Sequence, residues 1–305
     1  MSNRPLFAIN KMCIMLSDIL IIGNTKENIM NKIQSIVEAL LQEKNIKFKN
    51  GLYHYTQVLF AYTSNKIEGS EFTEEQIAEI YERNTITTFG AQVIRMNDLF
   101  EAKNHFCLFD YMLDHYDDTI TKEMLQEMHV ILKRNTTQQD IPVYNVGGFK
   151  IKPNGIGFVD CLDTVAAEKV EQYLECLLEE YNKKKNKTLE DLLDFHYAFE
   201  KIHPFSDGNG RIGRMILFKE CLKHQILPFV ILDQHKDFYI KGLSEYKSEK
   251  GYLRDTCLSE QNIYTDVCEK LGVFNSHQLD VEKKEYAYFI NMYSGANHPR
   301  RESGI

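Results

Sequence analysis

The sequence predicts an all-α protein carrying one short β-hairpin, on three observations. Glycine (16) and proline (6) together supply 22 of 305 residues, about 7% against roughly 12% in average usage, so turns are scarce and helices long. Apolar residues recur at helical spacing through most of the chain. Only residues 141–159, IPVYNVGGFKIKPNGIGFV, set β-branched and aromatic residues on both sides of a Pro-Asn-Gly turn signal.

Taken in order, Ile29, Ile33, Ile36, Val37, Leu40 and Leu41 form one apolar stripe between Asn24 and Asn45, which serve as caps. A second apolar segment over 52–62 runs into SNKIEG, whose glycine suits a helix end. Thr73 with Gln76 three residues on has capping-box spacing and opens a third helix through Ile80. Residues 97–116 are apolar over so much of their circumference that the helix must cross the core. Helices are predicted over 122–133 and 162–181, with the hairpin between them. Thr188 with Asp191 opens the next helix, which stops at Pro204. After the turn-rich HPFSDGNG, helical periodicity resumes through Ile212, Met215, Ile216, Phe218 and Leu222. Past Tyr239 the helices are more polar, and the final SGANHPRRESGI reads as a frayed tail.

Composition bounds the function. A hydrophobic share of 43% with 26% charged residues is that of a globular protein, not a disordered one. The 36 basic against 44 acidic residues give a net charge of −8, which excludes a non-specific nucleic-acid binder. Seven cysteines, Cys13, Cys107, Cys161, Cys176, Cys221, Cys257 and Cys268, are odd in number and form no CxxC pair; they read as buried, reduced thiols of a cytoplasmic protein. The apolar run 12–22 is too short to span a bilayer, is interrupted by Asp18 and lacks a small-residue cleavage site, so neither membrane anchor nor signal peptide is expected. No repeat or Gly/Ser linker divides the chain. The expected organisation is an N-terminal helical region (1–96), a core (97–246) and a C-terminal extension (247–305).

Chemistry concentrates in HPFSDGNGRIGR, residues 203–214. Gly208, Asn209 and Gly210 stand where a loop becomes a helix, so bare backbone N–H groups and the positive dipole end can face an anion. Arg211 and Arg214, three apart on that helix, offer guanidinium forks to the same anion. Asp207 is a hard oxygen ligand suited to Mg²⁺ or Mn²⁺. His203 is the nearby group that titrates close to neutrality and can take a proton from an alcohol. Phe205 reads as the loop's anchor in the core.

This string resembles the signature loop of the Fic family, HPF, any residue, Asp or Glu, GNGR, two residues, Arg, and meets every specified position. The resemblance implies an all-helical enzyme with a β-hairpin flap that transfers AMP from ATP to a protein hydroxyl. It implies His203 as the base deprotonating a Ser, Thr or Tyr of the target, and Asp207 as the metal ligand. It places Gly208, Asn209, Gly210, Arg211 and Arg214 on the phosphates. Residues 147–159 resemble the flap, with Gly148, Phe149, Lys150 and Ile151 docking the target by strand addition. Asp237 and Tyr239 lie where the family often has a tyrosine near the base, although such a tyrosine more often simply packs.

SNKIEG fits the inhibitory pattern of one class of Fic proteins: Ser or Thr, three residues, Glu, then Gly or Asn. Here these are Ser64, Glu68 and Gly69. A Glu68 carboxylate on Arg214 would stand where the γ-phosphate belongs, with Ser64 one helical turn earlier fixing it. The expectation is a self-inhibited adenylyltransferase, with ATP and a target protein or the chain itself as partners and a homodimer left open. Three alternatives stay beside it: removal of AMP from the target, a Fic-fold enzyme with another donor, and a non-enzymatic ATP-sensing module. His196, two turns before His203, reads as packing or hydrogen bonding, not zinc binding. The KKKNK run at 183–187 reads as a solvated loop, not a nucleic-acid patch.

Overall fold

The computed structural model describes residues 27–88, 90, 92–154 and 164–275. Among these the chain forms ten α-helices and no strand: α1 (27–46), α2 (Leu52–Ile67), α3 (Glu74–Arg83), α4 (Met96–Asp114), α5 (Lys122–Lys133), α6 (Val170–Lys183), α7 (Leu189–Ile202), α8 (Asn209–Lys223), α9 (Lys236–Glu245) and α10 (Gly251–Lys270). The capping boxes predicted at Thr73 and Thr188 are formed, whereas Asn45, expected as a cap, lies inside α1, and Asn24 lies outside the described residues. Thr73 Oγ1 accepts from the Gln76 N–H at 3.3 Å and Gln76 Oε1 accepts from the Thr73 N–H at 3.1 Å. Thr188 and Asp191 exchange the same reciprocal pair at α7. Each satisfies two of the donors that a helix start leaves unpaired.

Helix α8 is buried nearly all round and forms the axis of the molecule. Phe218 on α8 meets Phe60 of α2 and Phe109 of α4 at centroid distances of 5.7 and 5.8 Å. Burying each such ring contributes about 1.5–3 kcal/mol, so this trio fixes α2 and α4 against α8. One apolar cluster runs from Ile33 on α1 to Val273 beyond α10. A smaller one, with Ile77, Ile80, Ala102 and Phe106, seats α3. At the C-terminal side, Tyr264 of α10 shares a 2.7 Å hydrogen bond with Thr56 of α2.

Three expectations are corrected. Residues 141–154 form no strand; a 3-10 turn over Pro142–Tyr144 leads into Asn145 and Gly147, both at positive φ. Pro142 lacks an N–H for a strand ladder, and the Lys150 N–H donates instead to Pro204 O at 2.8 Å. The second arm, 155–159, lies outside the described residues. Among the described residues 164–166 are not helical, and a 3-10 turn over Ala167–Lys169 precedes α6, which begins at Val170. The Thr164 hydroxyl donates to Asn154 O at 2.7 Å, and residues 162 and 163 lie outside the described residues. Of the cysteines, Cys221, Cys257 and Cys268 are buried, whereas Cys107 and Cys176 are exposed on the outer faces of α4 and α6; Cys13 and Cys161 lie outside the described residues. The 183–187 run is a solvated loop, with Lys184 paired to Asp191 at 2.6 Å. No helix among the described residues is long and apolar enough to cross a membrane.

Candidate functional site

The loop from His203 to Gly208 joins the end of α7 to the start of α8, and its shape is dictated locally. His203 closes α7 in the left-handed region, at φ 51° and ψ 62°, where a following proline disfavours helical continuation. Asn209 staples the loop: its Oδ1 accepts from the Phe205 N–H and its Nδ2 donates to Phe205 O, both at 2.8 Å. Phe205 is fully buried and stacks on His129 at 4.2 Å, as an anchor should. Gly208, at φ 87°, caps α8; a side chain there would strike Leu132. The first turn of α8 thus directs N–H groups that no carbonyl of the helix can satisfy toward the cradle of space over Gly210, which the Glu68 carboxylate occupies.

The segment expected to dock a target lies along this loop. The Asn154 amide donates to Phe205 O at 2.7 Å. The Lys150 side chain turns inward, its ammonium donating to Asn154 Oδ1 (2.6 Å), Thr164 Oγ1 (3.1 Å) and Ile202 O (3.3 Å). Gly148 and Phe149 are half-buried and Ile151 is exposed. His203 keeps 13% of its side chain accessible, and its Nδ1 faces Glu200 O at 3.3 Å. Burial, and then the Lys150 charge, lowers the imidazole pKa to about 4, leaving it neutral and able to accept a proton near pH 7.

The two arginines have different surroundings. Arg211 is enclosed: it pairs with Glu101 of α4, reaches Asp207 Oδ1 at 3.4 Å and donates to Asn65 Oδ1 of α2 at 3.3 Å. Lys133, the last residue of α5, joins the same cluster, 2.5 Å from Glu101 Oε1 and 2.6 Å from Asp207 Oδ2. Gln138 adds a 2.8 Å hydrogen bond to Asp207 Oδ2. Burial would raise the Asp207 carboxyl, but Lys133 and Arg211 outweigh it and hold it well below the usual carboxylate range. Glu101, Lys133, Gln138 and Asn65 escape sequence reading. Each looks locally like an ordinary helix or loop residue, and only tertiary packing gathers them.

Arg214 faces the cradle. Its Nε donates to Ser64 Oγ, its Nη2 to Ser64 O, both at 3.0 Å, and its Nη2 also to Glu68 Oε1 at 2.8 Å. Ser64 and Glu68 come from one face of α2, whose C-terminal end Glu68 caps before Gly69 turns away at φ 92°. The Glu68 carboxylate also fills the space over Gly210, where any Cβ would collide with Oε1. Burial would raise its pKa, but Arg214 and Arg211 hold it below the usual value. A carboxylate therefore already lies where loop and helix present anion-binding groups. Tyr239 is buried behind Arg214, with its ring centroid 5.9 Å from the guanidinium, and its hydroxyl pairs with His196 Nε2 at 2.8 Å. His196 is thus a hydrogen-bonding residue of the core.

Among the described residues no three His, Cys, Asp or Glu side chains gather as a metal site. Asp207 alone fits magnesium held mainly by phosphate and water, which needs only one or two carboxylates.

Residues 119–220 match the profile of the Fic/DOC family. A probable protein adenylyltransferase of Aquifex aeolicus is 38% identical over 70 residues, 23% of this chain and 21% of that protein, so the match spans about a fifth of that relative's length. Among solved structures, a Fic domain-containing signalling protein from Bacteroides thetaiotaomicron superposes with a TM-score of 0.60 at 20% identity, covering 80% of this chain and 92% of that one. Fic-1 from C. elegans gives a TM-score of 0.60 at 15% identity, covering 87% and 78%. These likenesses establish the fold, and the matched stretch contains the whole signature loop with the helices that hold it. The likeness to the Fic/DOC family profile is confined to residues 119–220, about a third of the chain.

Proposed function

We propose that this protein is a self-inhibited adenylyltransferase, moving AMP from ATP to a hydroxyl of a protein. The observation that carries the reading is the Glu68–Arg214 contact, 2.8 Å across 146 residues of sequence, inside an otherwise complete phosphate cradle. In the released protein Arg214 and the first turn of α8 bind the terminal phosphates. Neutral His203 takes the proton of the target hydroxyl as its oxygen attacks the α-phosphorus. The bond from that phosphorus to the bridging oxygen breaks, and pyrophosphate leaves with the electron pair. Fixed cations beside the leaving group stabilise its developing charge without reorganisation. A magnesium ion held by Asp207 would add Lewis-acid neutralisation of the phosphates. Arg211, committed to Glu101 and Asp207, supports the metal ligand more than it reaches for phosphate.

With Glu68 in place, a negative charge occupies the position of the outermost phosphate, and ATP enters only with its α-phosphorus out of line. Replacing Glu68 by Gly removes one charge-assisted hydrogen bond, about 1.5–3 kcal/mol, so transfer rises roughly 10- to 150-fold. Label from α-labelled ATP, followed into protein with Mg²⁺ present, is the readout. Adding His203→Ala to Glu68→Gly removes general-base catalysis and lowers the rate by about 10²–10⁴. Label absent from Glu68→Gly while ATP still binds sinks transfer and leaves an ATP-sensing module.

A further inference from the structure

Three carboxylates at the site, Asp207, Glu101 and Glu68, are matched by three cations, Lys133, Arg211 and Arg214. Lys133 stands apart among them because its side chain is wholly shielded from solvent, while Asp207 in front of it remains 36% exposed. The ammonium therefore approaches Asp207 from the protein interior. The Lys133 chain also packs under Gly208, its Cε 3.3 Å from where a Cβ would stand. Burying a lysine so completely costs several kcal/mol of hydration, offset here only by its paired carboxylates. An apolar side chain of similar length would fill the space without that cost, so the charge bears on what Asp207 does.

We propose that Lys133 is a resident cation of the phosphate site, holding Asp207 in place and keeping a divalent ion off it until a nucleotide brings the ion in. The inference rests on Asp207 being the metal ligand of the proposed function. Both carboxylate oxygens are already engaged: Oδ2 accepts from Lys133 and Gln138, and Oδ1 accepts from the Gly208 N–H at 2.6 Å and from Arg211. A bare dication, which gives up its water reluctantly, meets a site with no surplus negative charge. A triphosphate supplies both the missing charge and most of the ligands. Glu101, already 2.5 Å from the ammonium, then keeps Lys133 paired while Asp207 serves the ion. Lys133 is a positioning residue in this account, acting through Asp207.

Mn²⁺ serves as the probe, with protein-retained ion counted by electron paramagnetic resonance after equilibrium dialysis of the full chain, with and without a non-hydrolysable ATP analogue. Ion held by free nucleotide is then the same on both sides and drops out. Wild type should take up Mn²⁺ only with the nucleotide. Lys133→Gln should bind Mn²⁺ without it, at least about tenfold more tightly than wild type, because one repelling charge has gone. That binding should vanish in Lys133→Gln with Asp207→Asn. A loosened fold weakens metal sites and does not create one, so such a gain is not a structural side effect. A folded Lys133→Gln protein no better than wild type overturns the proposal, as does wild type that binds Mn²⁺ equally with and without nucleotide. Lys133→Met, which fills the same space, replaces the glutamine variant if that one does not fold. If Asp207→Asn alone leaves nucleotide-dependent Mn²⁺ uptake intact, the functional reading of Asp207 has failed. If uptake needs Asp207 and Lys133 has no effect, only the present inference has.

Discussion

Arg211 and Arg214 stand three residues apart on one helix and belong to one motif, yet the fold treats them differently. Both are nearly sealed from solvent, at 2% and 4% exposure. Arg211 is enclosed by Glu101, Asp207 and Asn65, with Lys133 bridging the two carboxylates. Arg214 has as its charged hydrogen-bond partner Glu68, the C-cap residue of α2, whose side chain is 35% exposed. A cation sealed among fixed acceptors is part of the scaffold. One whose carboxylate partner can withdraw into water is available to a ligand. Identical residue types in one motif thus divide into a structural and an exchangeable member. Asp207 is as exposed as Glu68, 36% against 35%, so what separates the two arginines is Glu101, only 15% exposed and held by Lys133 as well as by Arg211.

The sharpest way to break this comparison is to truncate each arginine. Arg211→Ala leaves Glu101 and Asp207 sharing the single Lys133 ammonium, one negative charge in excess in a largely enclosed cluster, and should cost about 3–5 kcal/mol. Arg214→Ala leaves Glu68 free to reach water and should cost roughly 1–3 kcal/mol, mostly through the orphaned Ser64 carbonyl. Urea unfolding midpoints at unchanged slope measure both, and equal losses would erase the distinction.

Acid should act on the scaffold through its histidines. Burial lowers His105, His129 and His196 to about 3 and His203 to about 4. In the unfolded chain each takes up a proton near pH 6.5. Their contribution to stability is therefore complete above about pH 6.5 and lost as the pH falls toward the folded values. Glu200, raised to about 8 by burial against the opposing pull of Arg214, works the other way, because the folded state holds its proton where the unfolded state has lost it. Four groups outweigh one, so stability should fall by a few kcal/mol between pH 7 and 5. A urea midpoint that is flat over that range contradicts this.

The smallest effect sharpens the exchangeable side. Ser64→Ala removes the 3.0 Å hydrogen bond to Arg214 Nε but leaves the Ser64 carbonyl and Glu68 in place. About 1 kcal/mol of support for the Glu68–Arg214 contact is lost. Label transfer should rise a few-fold, less than with Glu68→Gly. A rise matching Glu68→Gly would show that the serine, not the carboxylate, holds the site closed.

Much of the site was legible because its parts are contiguous. His203, Asp207, the glycines and both arginines lie within twelve residues, and a loop that opens a helix orients them by local geometry alone. The capping boxes at Thr73 and Thr188 were legible for the same reason. The hairpin was not. Its β-branched residues predict a ladder, but the Lys150 backbone found its acceptor on Pro204, more than fifty residues away. The start of α6 was misplaced likewise, since residues 164–166 are not helical and a 3-10 turn over Ala167–Lys169 leads into the helix.

The sequence by itself determined the helical class, the capping boxes at Thr73 and Thr188 and the loop that opens α8, because these depend on residue type and short spacing. The Glu68–Arg214 pairing was expected from the resemblance of SNKIEG to a known motif. Tertiary structure alone decided that Arg211 is committed to Glu101 and that Lys133 lies buried against Asp207. Those outcomes depend on how α2, α4 and α5 cross α8. Packing of Phe60, Phe109 and Phe218 sets those crossings, and no short-range pattern in the chain encodes them.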